Sequence, residues 1–170
     1  MLPNTLKSLW IHSNFSSDVL PGSLPPSLTY LKCGFYYYGP LPSLVNNTSL
    51  THLELGFGYG SPLPAFPDSL TTLTLSNMFD QPIKKVVFPP RLRCLIIPYL
   101  QQSRYIACAP PTLETLGMIT QPSKADVKDY KEIWTNRLKS VIISPDDLFT
   151  PDKLIQSAAD FLAIIDVQMD

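Results

Sequence analysis

The sequence predicts a solenoid, in which short coils of chain stack into one parallel β-sheet with irregular connecting arcs on the convex side. Two observations predict this mostly β fold class. Residues 70–75 read L-x-x-L-x-L, and the second half of that pattern alternates apolar and polar residues as a strand with one buried face does. The same pattern returns every 20 to 25 residues along most of the chain, which is typical of repeat proteins.

Seven units carry the pattern, and the steps between their first leucines are 22, 22, 20, 22, 21 and 25 residues. A period of 20–29 residues belongs to leucine-rich-repeat solenoids. The first leucines are Leu6, Leu28, Leu50, Leu70, Leu92, Leu113 and Leu138. The second apolar positions are Leu9, Leu31, Leu53, Leu73, Leu95, Leu116 and Val141. The third are Ile11, Cys33, Leu55, Leu75, Ile97, Met118 and Ile143, so Cys33 is explained as a core residue.

Each unit also carries fixed positions in its connecting arc. A proline, whose fixed φ suits the start of a strand, stands three residues before the first leucine at Pro3, Pro25, Pro67, Pro89 and Pro110. Nine residues after the first leucine come the aromatic residues Phe15, Tyr37, Tyr59 and Phe79. We expect these four rings to point inward and to form a stacked core spine on the convex side.

The C-terminal part is predicted to contain two helices. Charge rises after Pro122, and residues 124–136 place Val127, Tyr130, Ile133 and Trp134 on one helical face. This helix replaces the arc before the seventh strand and explains the 25-residue step. Thr150 as N-cap and Pro151 as first helical residue predict a last helix. We therefore divide the chain into a solenoid over 1–144 and a helical cap over 145–170, which covers the apolar end of the stack.

Several of these segments resemble the FNIP repeat. Residues 24–31 (LPPSLTYL) and 66–75 (FPDSLTTLTL) are similar to its L-P-x-S-L-T-x-L-x-L core. Residues 79–83 (FDQPI) resemble its F-N-x-P-I signature with Asp in place of Asn, and residues 37–41 and 59–63 are weaker versions with Tyr in place of Phe. The resemblance covers about residues 1–120 and implies a short-period leucine-rich-repeat solenoid.

Charge and cysteine content exclude several classes of partner and site. With a net charge of −1 the chain has no excess of positive charge that would attract nucleic acid or an anionic membrane, so we expect neither as a partner. No apolar run reaches the length of a membrane span. The three cysteines, Cys33, Cys94 and Cys108, form no C-x-x-C pair and no disulfide framework. Free thiols indicate a reducing compartment, and we expect a cytoplasmic protein.

The chain offers little catalytic chemistry. His12 and His52 are the two histidines, and no phosphate loop, G-x-S-x-G or H-E-x-x-H motif occurs. We predict no catalytic residue, no cofactor and no metal site, and hence no enzyme. The alternative of an enzyme whose site is assembled across strands stays open, because neighbouring strands of a sheet lie only about 4.8 Å apart.

The most informative surface is the side of the sheet that points away from the core, here called the front face. Positions two and four residues after each first leucine lie on it, and on the first three strands they form a mixed aromatic and charged patch typical of interaction hot spots. The candidate partner-binding residues are Trp10, Tyr30, Lys32, His52, Glu54 and Thr74. By the same register, Ile96 and Ile142 are exposed unless a helix or the tail covers them.

The predicted function is therefore a non-catalytic protein-interaction module that binds a protein partner on the front face, with its oligomeric state left open. A second interpretation is a structural fragment of a longer repeat protein without its own ligand. No cap precedes Leu6, so the first unit is expected to tolerate exposure, to continue an upstream segment, or to be covered by a partner.

Overall fold

The computed structural model describes residues 2–12, 15, 18–75, 79, 86–97, 110–118, 138–143 and 155–157. It shows one eight-stranded sheet in which the strand order follows the chain order. The strands are β1 Ser8–Ile11, β2 Tyr30–Cys33, β3 His52–Glu54, β4 Thr72–Thr74, β5 Cys94–Ile97, β6 Thr115–Met118, β7 Ser140–Ile143 and β8 Ile155–Ser157. Strands β1 to β7 pair in parallel, which confirms the predicted solenoid.

The strand pairing brings equivalent positions of successive units into direct register. Leu31 pairs with Leu53, and Leu53 pairs with Leu73, so the second apolar position forms a continuous row. All three side chains are at most 1% exposed. Cys33 is fully buried in the neighbouring row, as predicted for a core residue. Removing these alternate side chains from water is the main force that holds the coils together.

Each coil enters its strand through a tight turn. The N–H of the first leucine donates to the carbonyl three residues earlier, as in Leu28 to Pro25 and Leu70 to Pro67, both at 3.1 Å. Asn47 replaces the proline in the third unit and is only 7% exposed. Its Nδ2 donates to the carbonyls of Leu24 at 3.4 Å and Pro25 at 3.3 Å, so the buried amide joins two coils.

The convex-side spine is confirmed for three of its four rings. Tyr37, Tyr59 and Phe79 are buried, and the first two stack with ring centroids 6.4 Å apart. Phe15 is the exception, because its ring is tilted beside that of Tyr37, with centroids 6.3 Å apart, and is 45% exposed. The prediction of an inward-pointing ring is therefore wrong for Phe15. In the first unit the ring has a neighbouring coil on only one side among the described residues.

Tyrosine at this position has a polar role that phenylalanine cannot fill. The hydroxyl of Tyr37 donates to the carbonyl of Pro40, and that of Tyr59 donates to the carbonyl of Pro62, both at 3.0 Å. The Tyr59 hydroxyl also accepts the N–H of Leu41 at 3.4 Å. The ring fills the core while its hydroxyl satisfies backbone groups of the arc, which a buried phenol requires.

The sheet ends in an antiparallel strand. Residues Ile155–Ser157 form β8 against β7, although the sequence predicted a helical cap over 145–167. For these three residues the free edge of β7 offers backbone hydrogen bonds that outweigh a local helical preference. The helix predicted over 124–136, and the rest of the predicted cap, lie outside the described residues. In the part of the chain that is described, no helix is long and apolar enough to cross a membrane.

Candidate protein-binding face

The sheet register brings the six candidate residues together on the front face. Tyr30 on β2 pairs with His52 on β3, in the row of positions two residues after the first leucine. The adjacent row runs from Trp10 on β1 through the residues Lys32, Glu54 and Thr74 on β2 to β4. Successive strands lie about 4.8 Å apart, so the two rows form one surface across four strands.

Lys32 links three strands at the centre of this surface. Its Nζ lies 2.5 Å from Oε1 of Glu54 and 5.4 Å from the centroid of the Trp10 ring. The second distance is within the range of a cation–π contact. The Lys32 and Glu54 side chains are each 33% exposed, and such a solvent-screened pair adds at most about 1 kcal/mol to stability. Its main effect is to hold two long side chains and the indole in one arrangement.

Tyr30 uses the second oxygen of the same carboxylate. Its hydroxyl donates to Oε2 of Glu54 at 2.8 Å, so both oxygens of Glu54 are engaged within the protein. Burial, followed by the hydrogen bond and the negative charge of Glu54, raises the pKa of Tyr30 well above its ordinary value. The phenol is therefore neutral at physiological pH and acts as a hydrogen-bond donor.

His52 lies beside Tyr30 at the exposed surface of β3. The two ring centroids are 6.3 Å apart, and Nδ1 of His52 lies 2.8 Å from the Thr51 hydroxyl. That hydroxyl donates to the carbonyl of Thr29 at 3.1 Å. The Thr51 hydroxyl therefore connects the His52 ring to the backbone of the preceding coil.

Trp10 is the most exposed large residue of the face. It is 65% exposed, and Lys32 lies over its ring. The His12 ring is tilted beside it at a centroid distance of 6.4 Å. A large aromatic surface held in place by a neighbouring cation loses little conformational entropy when a partner covers it, which favours tight contacts.

The front face changes character beyond β4. Ile96 on β5 is only 8% exposed, so this side chain is covered, although its register position is on the front face. Next to it, burial raises the pKa of the Cys94 thiol to about 11, which keeps the thiol protonated and unreactive at neutral pH. The open, aromatic part of the face is therefore the part built by β1 to β4.

The described residues show no further chemistry on this surface. Among them, no group of three or more His, Cys, Asp or Glu side chains is placed to hold a metal ion. In the strand register His52 lies between Tyr30 and Thr72. A phenol and a threonine provide no base or acid to activate a nucleophile through the imidazole.

The sequence analysis missed a second aromatic surface. Phe35, Tyr36, Tyr38 and Phe57, here called the aromatic cluster, lie in the loops that follow β2 and β3. Phe35 and Phe57 stand seven residues after their first leucines, so aligning the units at that position reveals the column. The aromatic residues two positions later, nine after the first leucine, include the buried rings of Tyr37 and Tyr59.

The comparison with protein-family models supports the repeat class. The family model described as FNIP Repeat matches residues 1–36 and 59–100. A comparison with curated protein sequences found no match. Among solved structures, the chain is similar to CroV588, reported as a novel circular LRR protein, with 28% identity and a TM-score of 0.49. That similarity covers 69% of this chain and 21% of CroV588, so the chain spans about a fifth of its length.

The matched segments include the buried leucines Leu28, Leu31, Leu70 and Leu73 and the buried rings of Tyr59 and Phe79. The chain is therefore a repeat protein with segments that match the FNIP repeat, and its sheet forms a leucine-rich-repeat-like solenoid.

Proposed function

We propose that the protein is a non-catalytic interaction module that binds a protein partner through Trp10, Tyr30, Lys32, His52, Glu54 and Thr74. Solenoids of the leucine-rich-repeat type are generally protein-interaction scaffolds and are typically non-catalytic. The observation that supports a binding role for this particular surface is the arrangement around Glu54. One carboxylate fixes Lys32 and Tyr30, and Lys32 in turn lies over the exposed Trp10.

The chemistry of the face favours a protein over other partners. Each charged side chain of the Lys32–Glu54 pair is neutralised by the other, so the face has no excess of positive charge for phosphate groups. Exposed aromatic rings with hydrogen-bonding edges are the groups that dominate protein–protein contacts. Cytoplasmic location stays a proposal, which the free thiols of Cys33 and Cys94 support.

Affinity capture tests this proposal. The immobilised protein is incubated with a native lysate, and captured proteins are compared with those captured by the double variant Trp10→Ala/Tyr30→Ala. We expect recovery of the specific partner to fall at least about tenfold, because central aromatic residues carry most of the binding energy. Leu20→Ala is the matched control, since Leu20 is as exposed as Trp10 at 65% but lies in the arc after β1 and not on the front face.

Two results would overturn the proposal. One is equal recovery of the same proteins by the wild type and the double variant, when circular dichroism shows both folded. The other is that Leu20→Ala loses the partner while the double variant Trp10→Ala/Tyr30→Ala keeps it. That result would show that the binding surface lies outside the front face.

A further inference from the structure

The aromatic cluster is held in place by the backbone of two successive coils. The N–H of Tyr37 donates to the carbonyl of Gly34 at 3.1 Å, and that of Tyr59 donates to Gly56 at 3.0 Å. Phe35 and Phe57 occupy equivalent positions within these two turns, which end at the buried rings of Tyr37 and Tyr59. A turn directs its central side chains away from the core, which explains why rings at this position are not part of the buried spine.

The rings of the cluster are ordered relative to one another. Phe35 and Phe57 stack with centroids 4.6 Å apart and planes within 2°, and Tyr36 contacts Phe35 edge-on at 4.6 Å. Phe35, Tyr36 and Tyr38 are 43%, 53% and 65% exposed. A contiguous exposed aromatic surface of this kind is uncommon in a soluble protein and marks an interaction site.

The ring of Tyr38 packs against Gly58, which has no side chain to block it. A side chain at position 58 would place its Cβ 2.6 Å from Cε1 of Tyr38, so the Tyr38 ring lies directly against Gly58. The N–H of Gly58 donates to the carbonyl of Phe35 at 2.8 Å, which fixes the two loops to each other. The cluster is therefore a preorganised surface, and binding there orders few additional groups.

The cluster is free of charge. Residues 33–53 and 55–67 contain no Asp, Glu, Lys or Arg. The hydroxyls of Tyr36 and Tyr38 make no hydrogen bond to another group in the part of the chain that the structure describes. The ligand that fits has apolar rings to stack on the aromatic faces and a few acceptors for these hydroxyls, and it has no need of a charged partner.

We propose that the aromatic cluster binds a proline-rich segment of a partner protein in the polyproline II conformation. Such a segment presents pyrrolidine rings on its surface and backbone carbonyls that make no internal hydrogen bond. Tyrosine hydroxyls donate to these carbonyls while aromatic faces pack against the rings, and the rigid ligand loses little entropy. This site is separate from the front face and does not depend on the function proposed for it.

The neutral surface disfavours other ligands with flat or polar groups. Single-stranded nucleic acid stacks on aromatic rings too, but it needs a basic path for its phosphates, which these two loops lack. A carbohydrate presents many hydroxyls whose hydrogen bonds to water are lost on binding. The two phenols of the cluster, Tyr36 and Tyr38, are too few to replace them.

Titration of the full chain with decaproline, followed by amide NMR, tests the proposal. We expect saturable shifts centred on the amides of Gly34, Gly56 and Gly58, and none with a Gly-Ser peptide of equal length. Tyr36→Ala/Tyr38→Ala should weaken binding about tenfold or more, because two stacking surfaces are lost. Leu20→Ala, which removes a side chain as exposed as that of Tyr38, should leave the affinity unchanged.

The conservative double variant Tyr36→Phe/Tyr38→Phe keeps the rings and the packing against Gly58, so it separates hydroxyl donation from folding. We expect it to weaken decaproline binding about two- to fivefold. The proposal is overturned if decaproline causes no saturable shift, if the shifts lie elsewhere, or if maltotetraose binds the cluster instead. Concentration-dependent broadening of the cluster signals without peptide would also overturn it, since a second copy would then be the occupant.

Discussion

The hydroxyl of Tyr30 donates to Oε2 of Glu54 at 2.8 Å, across a diagonal between β2 and β3. The residue directly opposite Tyr30 in the register is His52, and the one opposite Glu54 is Lys32. The diagonal contact therefore connects the two rows of the front face. Through it a single carboxylate orients the phenol and the ammonium group of the proposed binding surface.

Replacing Glu54 should change the titration of Tyr30. In Glu54→Gln we expect the pKa of Tyr30 to fall from its raised value but to stay above its ordinary value, because burial, the largest cause, remains. NMR of tyrosine Cζ carbons over an alkaline pH series measures this, with Tyr30→Phe assigning the signal. Glu114→Gln is the matched control, because Glu114 pairs with Lys139 at another site. An unchanged pKa in Glu54→Gln would contradict the observed hydrogen bond.

Because two coils approach closely at Gly56, we expect substitution of Gly56 to destabilise the protein much more than substitution of Gly60. A Cβ at position 56 would lie 2.0 Å from the carbonyl oxygen of Gly34, whereas position 60 has open space for one. We expect Gly56→Ala to lower the free energy of unfolding by about 1–3 kcal/mol or more, since backbone must move. Gly60→Ala should stay within about 0.5 kcal/mol of the wild type. Urea denaturation of both variants measures this, and equal stabilities would refute the coil spacing.

Alkaline pH should destabilise the protein from about pH 9 upward. Burial, and then the charge of Glu54, raises the pKa of Cys33 from 9.0 to about 12. The unfolded chain therefore loses this proton before the folded one, and the free energy of unfolding falls between pH 9 and 12 while it is constant below. Burial of Cys94 adds to this loss, with a pKa raised from 9.0 to about 11.

Denaturation curves at a series of pH values measure this dependence. Cys33→Ala should reduce the slope between pH 9 and 10, below the range in which buried tyrosines begin to contribute. A rise in stability over that interval, or a slope that Cys33→Ala leaves unchanged, would show that the thiol is not buried in the solenoid core.

The sheet and its register could be predicted because a short strand follows a strict rule. Side chains alternate between faces with a period of two, so Leu31, Leu53 and Leu73 must share the core face once their units stack. The same rule places Trp10, Lys32 and Glu54 in one row of the front face.

The remaining features depend on information that periodicity does not carry. The diagonal contact of Tyr30 depends on side-chain rotamers, which the strand register leaves free. The exposure of Phe15 depends on its position in the first unit, and Ile96 is buried although its register position is on the front face. Strand β8 forms because an available sheet edge overrides the local preference of three residues.

Site-specific photo-crosslinking in native lysate tests the proposed partner-binding face most directly. A photoactivatable benzoyl-phenylalanine replaces Thr72, which lies beside His52 on the front face, or Val87, which is 86% exposed outside the strands. The account predicts one abundant cross-linked protein from position 72, lost when Trp10→Ala is added, and none from position 87. Cross-links from position 87 without any from position 72 would contradict it.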